Sequence, residues 1–332
     1  MPDSQYDVIG IGNAIVDVLS HADDAFLEKH ALNKGAMTLI DAERAEHLYD
    51  AMGAGVEASG GSAANTLAAV AALGQRACFI GKVRDDQLGR IFAHDIQAVG
   101  VAFDTARSDG GAPTARCLIL VTPDAQRTMN TYLGACVELG PEDVNEAEIA
   151  AASVLYLEGY LWDPPRAKEA FLKATAASRA AGRKVSLSLS DGFCVDRHRA
   201  EFLDLVDNHV DILFANEDEI CSLYQVDEFD AALQAVRDKC EVAALTRSEK
   251  GSVVVSGREV HVIDPEPVSK VVDTTGAGDL YAAGFLAGYT QGRGLHDCGR
   301  MGSIAAAEII SHMGARAEAD LAALVRDRLG PA

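Results

Sequence analysis

The run Asp273-Thr274-Thr275-Gly276-Ala277-Gly278-Asp279, followed by LYAAGFLAGY, decides how the rest of the chain is read. Small residues and bare backbone amides precede a carboxylate just where an apolar, helix-compatible stretch begins. The N–H groups of Gly276, Ala277 and Gly278 then stand at the positive end of a helix dipole, a place that favours an anion. Asp279, in the first turn, would face a hydroxyl approaching that anion and can take its proton. Taken alone, the run is equally well explained as a glycine-rich turn with an acidic N-terminal cap.

Further upstream, Gly60-Gly61-Ser62-Ala63-Ala64-Asn65-Thr66 leads into LAAVAALG, again a glycine turn entering a small-residue helix. GGSAAN at 60–65, Asn216-Glu217-Asp218-Glu219, and DTTGAGD at 273–279 occur in that order along the chain. Together they resemble the ribokinase-like (PfkB) family of carbohydrate and nucleoside kinases. The resemblance spans essentially the whole chain, including GIGNAIVD at 10–17, DDQLGRIFAHDIQAVGV at 85–101 and TRSEKG at 246–251. It implies a three-layer αβα sandwich with a central, mostly parallel sheet and a small β-sheet lid, built as a single kinase domain over residues 1–332.

Elementary properties agree with such a chain. With 332 residues and 48% hydrophobic content there is ample material for a buried core. A net charge of −21 argues against a nucleic-acid partner and against an anionic membrane surface. The start, MPDSQYD, has no basic or apolar leader character, and no uninterrupted apolar run is long enough to span a bilayer. A cytoplasmic protein is expected. The seven cysteines form no CxxC pair and the nine histidines no HExxH spacing, so reduced, packed thiols are expected rather than a zinc site or disulfide framework.

Short apolar runs at Val8–Gly12, Ala77–Ile80, Val154–Leu157, Val185–Leu189, Ile212–Ala215 and Val242–Leu245 alternate with amphipathic stretches such as Pro165–Ala181 and Phe202–Asn208. That alternation predicts βαβ units and a parallel sheet covered on both faces. SVVVSG and REVHVI read as the next two strands. Val16–Ser20 with Ala36–Ile40, and Thr114–Val121 with Arg127–Leu133, read as extended pairs, the second joined by the turn Thr122-Pro-Asp-Ala-Gln126. These are ordinary edge hairpins on pattern alone. The family resemblance makes them the lid, built from about 16–40 and 113–133, that closes over the acceptor and excludes water.

Two other phosphate-binding motifs are missing. Gly10-Ile-Gly12 would need a third glycine at Ile15 to be a dinucleotide fingerprint, and no GxxxxGK[ST] is present. Singly, Asn13 reads as a turn former, Asp17 as a solvated acid and Asn65 as a helix-start residue. Their match to the family, with Gly61 and Ser62, implies a cluster that clamps the hydroxyls of a sugar. NEDE has the pattern of an acidic helix start, while the resemblance assigns Asn216 and Glu219 to magnesium and its waters around ATP. Thr246, Arg247 and Gly251, in a hairpin turn, match the nucleotide loop, and Ser303 and Gly278 complete the implied ATP contacts. Asp273, Thr275 and Gly314 match part of a monovalent-cation site, K+ being the candidate. Glu318 stands where some relatives have serine.

Within the family, VDILFANEDE at 210–219, SLSLSDGF at 186–193 and PTARCL at 113–118 are similar to the adenosine kinase branch. Ser188-Leu-Ser190-Asp191 replaces the D-x-N-x-R of many sugar kinases, which suits a more apolar pocket. Met37, Leu133, Leu161, Trp162 and Phe193 are candidates to line it, and the same residues read equally well as core. The resemblance thus implies ATP-dependent phosphorylation of a nucleoside. The alternatives are a sugar kinase (ribokinase, fructokinase or 2-keto-3-deoxygluconate kinase) and a catalytically silent relative, against which the complete DTTGAGD speaks. A monomer or a homodimer is compatible with either.

Overall fold

The computed structural model describes residues 4–124 and 126–330. Its strands are β1 (Tyr6–Ile11), β2 (Ile15–His21), β3 (Met37–Leu39), β4 (Gly55–Gly60), β5 (Ala77–Ile80), β6 (Val101–Ala102) and β7 (Ala115–Val121). They continue with β8 (Arg127–Tyr132), β9 (Ala152–Glu158), β10 (Lys184–Ser188), β11 (Ile212–Asn216), β12 (Val242–Thr246), β13 (Ser252–Ser256) and β14 (Glu259–Ile263). One sheet runs β14-β13-β12-β11-β10-β9-β1-β5-β6, parallel from β12 to β6 and antiparallel at the β13 and β14 edge. All residues of β5 and β9 are buried, as expected of strands covered on both faces.

Alternate side chains of these strands enter two cores. Val8, Val154, Tyr156 and Phe214 meet the helices Ser62–Ala72, Gln87–Ala98, Ala277–Thr290 and Leu295–Ile309. Ile9, Leu155, Leu157 and Leu213 meet Pro165–Ala180, Gly192–Asn208, Glu217–Tyr224 and Phe229–Val236. The expected three layers result. Small residues set the close approach of the layers: a Cβ on Gly10 would stand 2.5 Å from Leu67, and one on Gly284 2.4 Å from the Met301 carbonyl. The expected stretch Phe202–Asn208 is the second half of a helix that begins at Gly192 and bends at His198, whose φ and ψ are −122° and 22°.

A second sheet runs β3-β8-β7-β2-β4. The β7–β8 hairpin is antiparallel as expected, although Ala125 of its turn lies outside the described residues. The expected pairing of Val16–Ser20 with Ala36–Ile40 is not observed. β2 is bordered by β4, antiparallel, and by β7, parallel, whereas β3 pairs in parallel with β8. Both edges of β2 are therefore occupied, and the intervening helices Asp24–Lys29 and Ala42–Ala51 give the chain length enough to carry β3 to the far side. β4 escaped prediction because GVEASG carries glycine at both ends and one β-branched residue.

Among the described residues no helix is long and apolar enough to cross a membrane. All seven cysteines are free thiols.

Candidate active site

In the large sheet, β1 is flanked by β9 and β5, and the strand order reverses around it. The crevice beyond the carboxyl ends at such a point is where open α/β sheets bind ligands. Asn13, two residues past β1, is buried there. Its Nδ2 donates to Glu158 Oε1 at 2.6 Å, and its backbone N–H donates to the same oxygen at 3.3 Å. Glu158 closes β9, is fully buried, and through Oε2 accepts the N–H of Ala63 at 2.7 Å. A Cβ on Gly12 would fall 2.3 Å from that carboxylate, so only glycine lets the chain pass. Gly61 has φ of 99°, and a Cβ there would meet the Asn13 carbonyl at 2.2 Å. The two glycine motifs therefore touch backbone to backbone.

The helix Ala277–Thr290 starts from Gly276, whose φ of 78° is left-handed. Asp279 lies in its first turn. Ser62 Oγ donates to Asp279 Oδ1 at 2.6 Å, and Asn65 Nδ2 donates to Oδ2 at 3.3 Å. The starts of helices Ser62–Ala72 and Ala277–Thr290 thus converge on one carboxylate. Ala277 N–H is engaged by the Thr274 carbonyl at 3.2 Å, while the N–H groups of Gly276 and Gly278 have no such backbone partner. The carboxylate of Asp17, on β2, lies against Gly60, where a Cβ would stand 2.3 Å from Oδ2.

Burial dominates the electrostatics of the cleft. It pushes the Asp17 carboxyl up to about 6, against the opposing pull of Arg316 and Arg127. It takes Glu158 to about 7 despite the hydrogen bonds from Ala63 and Asn13. Asp279 is also raised by burial, while its bonds from Ser62 and Asn65 pull it down. Such a cluster of carboxyls, each perturbed, marks a functional site.

An opposition between activity and stability follows. A base whose pKa burial raises is lost more readily as pH falls, so turnover is expected to decline on acidification. For Glu158 the native state binds the proton more tightly than the unfolded chain does, so its stabilising contribution is complete below about pH 4. That contribution is lost as pH rises through about 7. Melting temperature is expected to decline between pH 5 and 8 as Glu158 ionises, whereas turnover is expected to fall on acidification; parallel scans of both quantities, with Glu158→Gln flattening the stability slope, check this.

Asn216 caps the helix Glu217–Tyr224. Its side chain accepts the Glu219 N–H at 2.8 Å, while Glu219 accepts Asn216 Nδ2 at 2.7 Å and Asn216 N–H at 3.0 Å. The NEDE run is thus a capping box with a buried Glu219, whose carboxyl burial raises to about 7. Glu217, at the same helix start, receives Arg247 at 3.0 Å and Lys250 at 3.4 Å. Arg247 also stacks on Phe229 at 3.9 Å, which ties it to the protein. Thr246 ends β12. Gly251, with φ of 79°, turns the chain into β13 where a Cβ would meet the Ile263 carbonyl at 2.1 Å. Ser303 is buried in the helix Leu295–Ile309.

Asp273, Thr275 and Gly314 come together. Asp273 Oδ1 accepts Thr275 N–H and Oδ2 accepts Gly314 N–H, each at 3.0 Å. The guanidinium of Arg127, from β8, pairs with Oδ2, both side chains being almost completely buried. This ion pair ties the second sheet to the glycine motif. Replacing Arg127 with Met strands a buried carboxylate and is expected to cost about 3 kcal/mol of stability, read by chemical denaturation.

Of the expected pocket residues, Leu161 and Trp162 belong to the core on the far face of the sheet. There Trp162 packs on Phe171 and Phe202 and donates to Glu201 at 2.5 Å. Phe193 and Met37 are exposed. Glu158, Arg127 and Arg316 were missed by sequence reasoning. A carboxylate ending an otherwise apolar strand was the one local signal for Glu158.

A doubly covered parallel sheet, a carboxylate held where two helix starts converge, and a second sheet tied to that cleft go with an ATP-dependent nucleoside or sugar kinase. The chain belongs to the pfkB family of carbohydrate kinases, whose model matches residues 35–321. It is similar to the solved adenosine kinase from Sinorhizobium meliloti, with 55% identity, a TM-score of 0.90, and coverage of 98% of this chain and 100% of that one. A protein from Rhizobium etli CFN 42 described as a probable sugar kinase is 53% identical with a TM-score of 0.91, over 98% of this chain and 99% of that one. The adenosine kinase of Saccharomyces cerevisiae is 27% identical over 92% of this chain and 95% of its own length.

Proposed function

We propose that the chain transfers the γ-phosphoryl group of ATP to the 5′-hydroxyl of adenosine or a closely related nucleoside. The observation that carries the nucleoside reading is the face of the second sheet that bears Asp17. Residues 15, 17 and 19 of β2 share that face. Ile15 and Leu19 cluster there with Cys117, Ile119, Met129 and, from a loop, Met313. An apolar wall beside a single carboxylate suits a purine carried on a ribose, whereas a free sugar would call for polar groups on every side. The similarity to an adenosine kinase over the full chain supports the same choice, while the similarity to a sugar kinase keeps that alternative in the test.

In this reading Asp17, Asn13, Gly61 and Ser62 hold the ribose, with Asn65 shared between ribose and base. Asp279 removes the 5′-hydroxyl proton as that oxygen attacks phosphorus, and the amides of Gly276 and Gly278 receive the charge of the transferring group. Thr246, Arg247, Gly251 and Ser303 serve the nucleotide. Asn216 and Glu219 are hard oxygen donors already engaged with each other, so they fit magnesium through its waters; the ion, when bound, offsets phosphate charge. Asp273, Thr275 and Gly314 are assigned to a monovalent cation such as K+, beside the positive charge Arg127 already provides. The second sheet acts as the lid of a single kinase unit. Phosphorus NMR of the product formed from ATP and adenosine tests the reading: a 5′-monophosphate resonance is expected, and its absence alongside a phosphorylated free sugar would transfer the assignment to the sugar kinases.

A further inference from the structure

The loop between the helices Leu295–Ile309 and Leu321–Leu329 carries an arginine that none of the family motifs discussed above includes. Arg316 Nη1 donates to the Ala64 carbonyl at 2.9 Å, and Nη2 donates to the Ser59 carbonyl at 2.7 Å and to Ser59 Oγ at 2.8 Å. Ser59 lies at the end of β4 in the second sheet, and Ala64 in the first turn of the helix whose Ser62 and Asn65 hold Asp279. One guanidinium therefore spans the Gly60–Gly61 junction between sheet and helix. Its Nε is buried with no hydrogen-bond partner.

The loop itself is held rigidly. Glu308 Oε1 accepts the N–H groups of Glu318 and Ala319, each at 2.9 Å, and contacts His312 at 3.0 Å, while Gly314 N–H is fixed on Asp273. Arg316 thus stands on a braced support, and its charge couples to those of three carboxylates, Asp95, Asp17 and Asp279. Asp95 is already bound by Ser59, through N–H at 2.7 Å and Oγ at 2.5 Å. We propose that Arg316 is a positioning residue for phosphoryl transfer: its fork fixes the start of the helix Ser62–Ala72 against the second sheet, and its charge keeps Asp279 ionised beside Asp17.

The charged and titratable groups that face this pair come from every neighbouring element. Asp17 and Arg127 belong to the second sheet, Glu158 and Tyr156 to β9, Tyr160 to the segment that follows it, and Glu219 to the helix Glu217–Tyr224. Acidic groups outnumber the two arginines. Without Arg316 the surplus of negative charge would raise the Asp279 carboxyl further.

The inference rests on Asp279 as the base, and its test begins without any acceptor. In protein labelled with carbon-13 at the aspartate carboxyls, with Asp279→Asn for assignment, the Asp279 titration midpoint is compared between wild type and Arg316→Gln. Glutamine retains a donor for Ser59 and removes the charge. An upward shift of about one pH unit is expected for loss of an opposite charge acting within a buried site. An unchanged midpoint would overturn the charge role, whatever the acceptor proves to be. Arg316→Lys tests the fork, because an ammonium cannot span Ser59 and Ala64 as the guanidinium does. With the acceptor that wild type phosphorylates, kcat is expected to fall at least tenfold while the acid limb of the pH profile stays in place. Wild-type kcat in Arg316→Lys would overturn the positioning role.

Discussion

Asp279→Asn is expected to lower kcat with adenosine by about three to four orders of magnitude, the upper range for a positioned general base, while leaving the adenosine dissociation constant within a few-fold of wild type. The amide keeps the size of the carboxylate and can still accept from Ser62 through its oxygen, so the convergence of the two helix starts survives. What is lost is the second acceptor, on which Asn65 now donates, and the capacity to take a proton. Rapid-quench measurement of a single turnover, alongside calorimetric binding of adenosine, separates the chemical step from affinity. A variant retaining a tenth of the wild-type rate would remove Asp279 from the role of base.

Asp17→Asn is expected to act on the acceptor instead. A carboxylate can accept from two vicinal hydroxyls at once, and each charge-assisted bond contributes about 1.5–3 kcal/mol. Asparagine keeps one acceptor, so kcat/KM should fall by about a hundredfold or more, mostly through KM. Asp17 is also the group whose charge burial resists most clearly among those with an opposing arginine, and Arg127 and Arg316 both favour its ionised form. A cycle pairing this substitution with 2′-deoxyadenosine and 3′-deoxyadenosine locates the contact. The mutation should cost much less on whichever deoxynucleoside lacks the hydroxyl that Asp17 holds. Equal losses on all three nucleosides would mean that Asp17 shapes the lid and touches no hydroxyl.

Features set by local chemistry were legible in the sequence. The apolar runs read as strands because both faces of the large sheet are covered. DTTGAGD and GGSAAN read as helix starts because glycine, small residues and a first-turn acid act within one turn of chain. The residues that were not legible act across distance. Glu158 lies 145 positions from the Asn13 it holds, and Arg316 lies 257 from Ser59. Only the strand order that sets β9 beside β1, and the loop that returns over the Gly60–Gly61 junction, bring them to the cleft. The small sheet was half legible. The β7–β8 hairpin announces itself by a turn, whereas β3 joins β8 across an intervening crossover and β4 has too few β-branched residues to stand out. Asn216 and Glu219 were found as a pair, but their mutual capping bonds become visible only with side chains in place. Leu161 and Trp162 stayed open between pocket wall and core because an apolar residue following a strand end can turn to either face of the sheet; the structure places them in the core.

The account stands most directly on the choice of acceptor. ADP release should be measured with ATP and magnesium, with and without potassium, across adenosine, inosine, guanosine, ribose, fructose and 2-keto-3-deoxygluconate. A kcat/KM for adenosine at least a hundredfold above that for every free sugar is the predicted result; a free sugar preferred over all three nucleosides would contradict it.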